Sequence, residues 1–234
     1  MMLRAPQLPL ALPHAPSYGR DDFMPGPSNE AALRLIESWP AWPSPVVLLA
    51  GPSGSGKTHL VNIWAAMADA QIMDAGRLAS LIHPTVVAGG AIAIEDVEPD
   101  ATPETPLFHL INSVREVGGS LLITSRAPAE HWRIDLPDLR SRLRMATPAA
   151  LGAPDDELLR KVLVKLFADR QLLVDNPLID YLISRMERSL SAAVALVEML
   201  DREALAAGQR ITRPMASAVL SGVGGSDGEF AEPQ

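Results

Sequence analysis

The chain has 234 residues, 47% of them hydrophobic, and a net charge of −8 with no cysteine. This length suits one large domain or one domain with a small appendage, and the lack of cysteine excludes disulfides and thiolate metal sites. No apolar run is long enough to span a bilayer, the acidic balance argues against an extensive DNA-binding surface, and the N-terminus shows no export signal, so a soluble cytoplasmic protein is expected.

Residues 1 to about 28 are proline-rich and are expected to lack regular structure. An amphipathic helix is predicted over Asn29–Trp39, and Pro40, Pro43 and Pro45 end it. Strands are predicted at 46–50, 71–74, 91–95, 120–124 and 144–146, with helical segments between them. That alternation implies an α/β fold, a mostly parallel sheet flanked by helices. From Pro154 onward the pattern is helical throughout. One helix opens at Asp155-Asp156-Glu157, where acidic residues suit the helix dipole, and others cover about 176–188, 191–207 and 213–220. The expected organisation is a tail at 1–21, a nucleotide-binding α/β domain at 22–152, a small helical lid at 153–220 and a disordered tail at 221–234.

The most specific signal is Gly51-Pro52-Ser53-Gly54-Ser55-Gly56-Lys57-Thr58, which follows the first strand and opens a helix. Glycines at these positions let backbone N–H groups close around a phosphate chain, with the helix N-terminus behind them. In such a loop Lys57 reaches the β- and γ-phosphates and Thr58 holds Mg²⁺. Only three lysines occur in the chain, so this one stands out against an arginine background. His59 follows directly and is expected to pack beside the loop. The remaining histidines, His14, His83, His109 and His131, have no metal-ligand spacing.

A second set of residues lies at strand ends. The run Ala91–Ile94 ends in Glu95-Asp96, which places one carboxylate by the Mg²⁺ and another near the attacking water; solvated acids are the plain alternative. Thr124-Ser125 ends the next strand, either sensing the γ-phosphate or satisfying nearby backbone. Further on, Arg140, Arg142 and Arg144 alternate within Leu136–Arg144.

Together the phosphate loop, the acidic and polar strand ends, Ser141-Arg142-Leu143 and the helical lid resemble the AAA+ domain of the replication initiator DnaA, from about Asp22 to about Leu220. Phe23–Ala31 looks like that family's lead-in segment, which packs on adenine. No basic helix-turn-helix follows the lid, and the chain opens instead with Gln7-Leu8-Pro9-Leu10-Ala11-Leu12. This hexapeptide looks like a sliding-clamp-binding motif, with Gln7 making polar contacts and Leu8, Leu10 and Leu12 filling an apolar groove. The combination resembles the Hda family. The resemblance implies a negative regulator of replication initiation that binds the polymerase clamp and DnaA and promotes hydrolysis of DnaA-bound ATP. It implies Arg142 as the finger acting in trans, Glu95, Asp96 and Thr124 at the chain's own site, and ADP or ATP with Mg²⁺ as ligand. Two departures favour ADP and slow turnover by the chain itself. Glutamate replaces the metal-associated aspartate at position 95, and Ser191 occupies the lid position of a sensor arginine. Arg188 is either a substitute for that sensor or a solvated lid residue. The alternative reading is a stand-alone P-loop ATPase or a helicase-loader-type AAA+ protein.

Overall fold

The computed structural model describes residues 18–80 and 89–223, in two compact units that divide between Asp155 and Asp156. The segment containing Gln7, Leu8, Leu10 and Leu12 lies outside the described residues, as does everything beyond Val223. No helix among the described residues is long and apolar enough to cross a membrane.

In the first unit, strands β1 (Val46–Ala50), β2 (Gln71–Asp74), β3 (Ala91–Val97), β4 (Ser120–Ser125) and β5 (Thr147–Ala150) form one parallel sheet in the order β2-β3-β4-β1-β5. Helices α1 (Glu30–Glu37), α2 (Lys57–Ala68), α3 (Glu104–Glu116) and α4 (Pro137–Arg144) supply its cover. Side chains alternate across a strand, so neighbouring residues serve opposite faces. Val46 and Leu48 of β1 join Ile92, Ile94, Leu121 and Ile123 in a core shared with Leu107, Leu110, Ile111 and Val114 of α3 and Leu139 and Leu143 of α4. Val47 and Leu49 face the other way, with Ala93 and Leu122, onto Leu33 and Ile36 of α1 and Leu60, Ile63 and Trp64 of α2. A sheet covered on both faces explains why its central strands are continuously apolar rather than alternating. Trp42 stacks on Trp64 with ring centroids 5.0 Å apart, closing the second core at its edge.

The fifth strand differs from the expectation at 144–146. Arg144 is the last residue of α4, and Met145 and Ala146 form the turn that ends it, their N–H groups donating to Arg142 and Leu143 carbonyls. Leu139 and Leu143, one turn apart and both buried, carry the helical period through the arginine cluster. The strand is Thr147–Ala150 and contains Pro148, a residue that argues against a strand in sequence but is tolerated at a sheet edge.

The second unit consists of α5 (Asp156–Asp169), α6 (Asn176–Ile183), α7 (Leu190–Ala207) and α8 (Arg213–Val223). Its core joins Leu159, Leu163 and Phe167 of α5 to Ile179 and Leu182 of α6 and Leu196, Val197 and Leu200 of α7. The helix starts are chemically marked: the Asp175 carboxylate accepts the Leu178 N–H at 2.9 Å, and the Ser189 hydroxyl accepts the Ala192 N–H at 3.1 Å. Gly208, at φ 61°, ends α7 in the left-handed conformation that favours glycine. Arg170, its side chain almost fully buried, links the end of α5 to Glu198 and Asp201 of α7 at 3.6 and 4.0 Å. Two lengths depart from expectation. Helix α6 stops at Ile183 rather than near 188, and α8 continues to Val223, past the tail boundary expected at 221.

Candidate nucleotide site and the arginine helix

The loop Gly51–Gly56 leaves the end of β1 and enters α2 at Lys57. Its first N–H, on Gly51, donates to the Ser125 carbonyl at 3.1 Å, which anchors the loop to the end of β4. Gly54 and Gly56 have φ of 68° and 101°, in the left-handed region where a side chain would be strained. Gly51 is required for another reason. A Cβ there would lie 2.8 Å from the Ser55 hydroxyl and 2.9 and 3.0 Å from the Cβ and carbonyl oxygen of Leu151. The loop therefore closes tightly on itself, and α2 starts without a side-chain cap. Its first N–H groups remain available to an anion, as at other phosphate-binding helix starts.

Lys57 is buried and folded back on the loop, its Nζ donating to the carbonyls of Gly51 (2.8 Å) and Pro52 (3.0 Å). Burial holds this ammonium below its ordinary pKa; the Asp96 charge raises it, Arg126 lowers it further, and Glu95 raises it. The Ser55 hydroxyl is buried without a hydrogen-bond partner, a defect of the kind that water or a ligand removes. Pro52, Ser53 and Thr58 are exposed, and Gly54 and Gly56 half-buried.

Glu95 stands on β3 and accepts a hydrogen bond from the Thr58 hydroxyl. Burial pushes its carboxyl above the ordinary value of 4.5; the Thr58 bond opposes this, the Asp96 and Asp74 charges add to it, and Lys57 opposes it. Two adjoining oxygen donors with further carboxylates nearby fit a hard divalent cation. Among the described residues no group of three or more His, Cys, Asp or Glu side chains suits a metal by itself. That is the usual situation for Mg²⁺, which takes few protein ligands and completes its shell with phosphate and water.

The raised Glu95 pKa has a sign. Between 4.5 and the raised value the folded chain holds a proton that the unfolded chain has released, so stability falls as pH rises through that window. Glu95→Gln removes the penalised charge. Without nucleotide or Mg²⁺ the variant is expected to unfold at a higher temperature than the parent at pH 7. The gap should close as pH falls through the same window, and a calorimetric pH series checks both points. A gap that widened on acidification would contradict this account.

Asp96 is exposed and adopts φ 55°, at the irregularity where the β3–β4 register shifts between Ile94 and Val97. Its N–H donates to the Thr124 hydroxyl at 3.0 Å, and Thr124 is fully buried. The Ser125 hydroxyl donates to the Ala127 carbonyl at 2.7 Å. Both hydroxyls at the end of β4 thus have backbone partners, with Thr124 holding the turn that aims Asp96. His59 meets the lead-in segment: its ring contacts Tyr18 and Phe23 edge-on at 5.6 and 5.2 Å, and its Nε2 lies 2.9 Å from the Gly19 carbonyl. Buried Asn29 shapes that segment, accepting from the Gly26 N–H at 2.8 Å and donating to the Met24 carbonyl at 3.0 Å.

Arg142 lies in the last turn of α4, half-buried, and among the described residues it makes no ion pair. Arg140 is differently placed: its guanidinium donates to the Ile134 carbonyl. The Glu104 carboxylate on α3 accepts from the N–H groups of Asp135 (2.8 Å) and Leu136 (2.7 Å), tying down the start of α4. In the lid unit Arg188 precedes α7 and pairs with Asp156, whereas Ser191 is in the first turn of α7. Sequence reading passes over Glu104 and Arg126. The only signal for the latter is its position directly after Thr124-Ser125.

Residues 156–220 match the family model described as Hda, lid domain. A protein of Haemophilus influenzae described as uncharacterized is 26% identical over 192 residues, covering 76% of this chain and 82% of that one. Domain III of the Thermotoga maritima replication initiation protein DnaA superposes with a TM-score of 0.75 at 18% identity, covering 90% of this chain and 98% of the domain. A Thermotoga maritima RuvB mutant gives 0.70 at 16% identity, covering 92% and 75%. A DnaA bound to AMPPCP and single-stranded DNA gives 0.66 at 15% identity, covering 83% and 68%. Residues 156–220 thus match the Hda lid family, and the chain as a whole shares the fold of DnaA domain III.

Proposed function

We propose that the chain is a negative regulator of replication initiation. It binds the sliding clamp through Gln7, Leu8, Leu10 and Leu12, binds an adenine nucleotide at Gly51–His59, and promotes hydrolysis of ATP held by DnaA. The observation that carries this reading is the Hda lid match at 156–220 joined to a DnaA-like nucleotide fold. The chemistry of the arginine helix supports it. Arg142 is a permanently charged, planar group that among the described residues pairs with no carboxylate, on a helix tied down by Glu104. Such a group stabilises charge on a transferring phosphoryl better than a lysine does.

At the chain's own site, Lys57 and the α2 N–H groups would hold the phosphates, and Thr58 and Glu95 would hold Mg²⁺, which supplies charge neutralisation at the β- and γ-phosphates. Tyr18, Phe23 and His59 form an aromatic wall beside the loop that suits a purine. We assign ADP as the resident ligand, with the nucleotide stabilising the domain that presents Arg142. Glu95 and Asp96 support at most slow turnover, since the longer Glu95 side chain alters the metal position and Thr124 is engaged with backbone.

The test is hydrolysis of DnaA-bound ATP in the presence of clamp loaded on DNA. The purified chain is expected to accelerate it, and to release little phosphate when incubated with ATP alone. Gln7→Ala should abolish clamp pull-down while leaving nucleotide affinity and thermal unfolding as in the parent. Clamp capture that survived Gln7→Ala would remove the N-terminal motif from the scheme. Rapid phosphate release by the chain alone would favour a stand-alone ATPase.

A further inference from the structure

We propose that Tyr181, Arg185 and Arg213 form a docking site on the helical unit for an acidic segment of a partner protein, taking two of its carboxylates at once. The site uses neither the phosphate loop nor Arg142, so it stands apart from the function proposed above. Tyr181 lies on α6, half-buried, with its ring packed against the core of the unit. Arg185 follows the end of α6, where its N–H donates to the Leu182 carbonyl at 3.1 Å, and its guanidinium carbon stands 4.9 Å from the centre of the Tyr181 ring. Arg213, far away in the chain, opens α8 and stands 4.6 Å from the same centre. Two exposed guanidinium groups thus converge on one ring, no further from each other than the sum of those distances.

The pairing pattern of the unit singles these two cations out. Arg160 pairs with Asp180, Lys161 with Glu157, Lys165 with Asp169 and Arg188 with Asp156. Among the described residues Arg185 and Arg213 have no carboxylate partner and donate no side-chain hydrogen bond, although the chain carries a net charge of −8. The negative face of the ring attracts each guanidinium but neutralises neither, and the two positive charges repel each other. An anion bridging them removes that repulsion. The ring also limits the freedom of both side chains before anything binds, which lowers the ordering cost of docking, and their N–H donors stay free for bidentate contact with carboxylates. Carboxylates at alternate positions of an extended peptide lie roughly 7 Å apart, a spacing within the reach of the two groups. Nucleic acid fits less well. Its affinity grows with the number of phosphates neutralised, and a strongly acidic chain with two local cations offers few contacts to a polyanion.

The experiment measures, by fluorescence anisotropy at low salt, binding of the full chain to a labelled Gly/Ser peptide carrying two glutamates at alternate positions. The same peptide with glutamines and a short oligothymidine serve as the other two probes. The parent is expected to bind the glutamate peptide and to prefer it over both. Arg185→Ala and Arg213→Ala should each weaken that binding about fivefold or more, and the lysine replacements should recover only part of the loss. Tyr181→Leu keeps both charges but removes the ring that gathers them, so it should weaken binding as well. Arg144→Ala removes an equal charge from an exposed position of the first unit and should leave the affinity within about twofold of the parent. Thermal unfolding of the two arginine-to-alanine variants should match the parent, because both side chains are exposed. No binding by the parent, or an equal loss with Arg144→Ala, would overturn the site. Oligothymidine bound as tightly as the peptide, and lost with the same two arginines, would overturn the acidic-segment assignment in favour of nucleic acid.

Discussion

Replacing Arg142 with alanine is expected to lower the stimulation of DnaA-bound ATP hydrolysis by about 10³-fold or more, the scale on which arginine fingers act. Folding should be unaffected. The burial in α4 is carried by Leu139 and Leu143, and among the described residues Arg142 forms no ion pair whose loss would be felt. Arg144→Ala, at the exposed end of the same helix, is the matched control and should stimulate like the parent. Arg142→Lys keeps the charge but loses the fork, so it should recover a minor part of the rate. Single-turnover hydrolysis of preloaded DnaA, with clamp on DNA, reads all three. Normal stimulation by Arg142→Ala would show that another group reaches the initiator's nucleotide.

The second large effect belongs to Lys57. Lys57→Ala is expected to weaken nucleotide binding by about 10²-fold, the equivalent of about two charge-assisted hydrogen bonds to phosphate. Calorimetric titration with ADP and Mg²⁺ checks the figure. The unliganded protein should not lose comparable stability. The ammonium donates to the Gly51 and Pro52 carbonyls, but it does so from a buried position that penalises its charge, as its lowered pKa records. The two contributions oppose each other. An unchanged ADP affinity would mean that the loop's backbone N–H groups bind the phosphates unaided.

The parts of this fold legible in sequence are those where local chemistry and tertiary environment agree. Val46–Ala50 is continuously apolar because both faces of the sheet are covered, and the glycines after it follow from the turn they must make. The lid helices are legible from their spacing and from Asp155-Asp156-Glu157 at the start of the first, whereas the Ser189 cap of α7 is not. The fifth strand is not, because Pro148 obeys a rule about sheet edges, and no residue in the sequence states which strand is an edge. The site shows the same division. Lys57, Thr58 and Glu95 stand in motif positions, whereas the partners that position the rest are separated by tens of residues. The Glu104 carboxylate reaches the start of α4 across 31 residues, and the Thr124 hydroxyl meets Asp96 across 28.

Pro148 has a consequence for how the molecule can associate. In β5 it stands opposite Leu48, at one margin of the sheet, and it has no N–H to offer an incoming strand. The opposite margin, β2, offers only four residues. Among the described residues, then, neither margin is a good template for extending the sheet into another chain, and runaway strand-to-strand stacking is disfavoured. Contacts with other proteins fall instead to helices and connecting turns. Those surfaces separate and re-form without breaking a ladder of backbone hydrogen bonds, which suits the transient associations proposed for this chain.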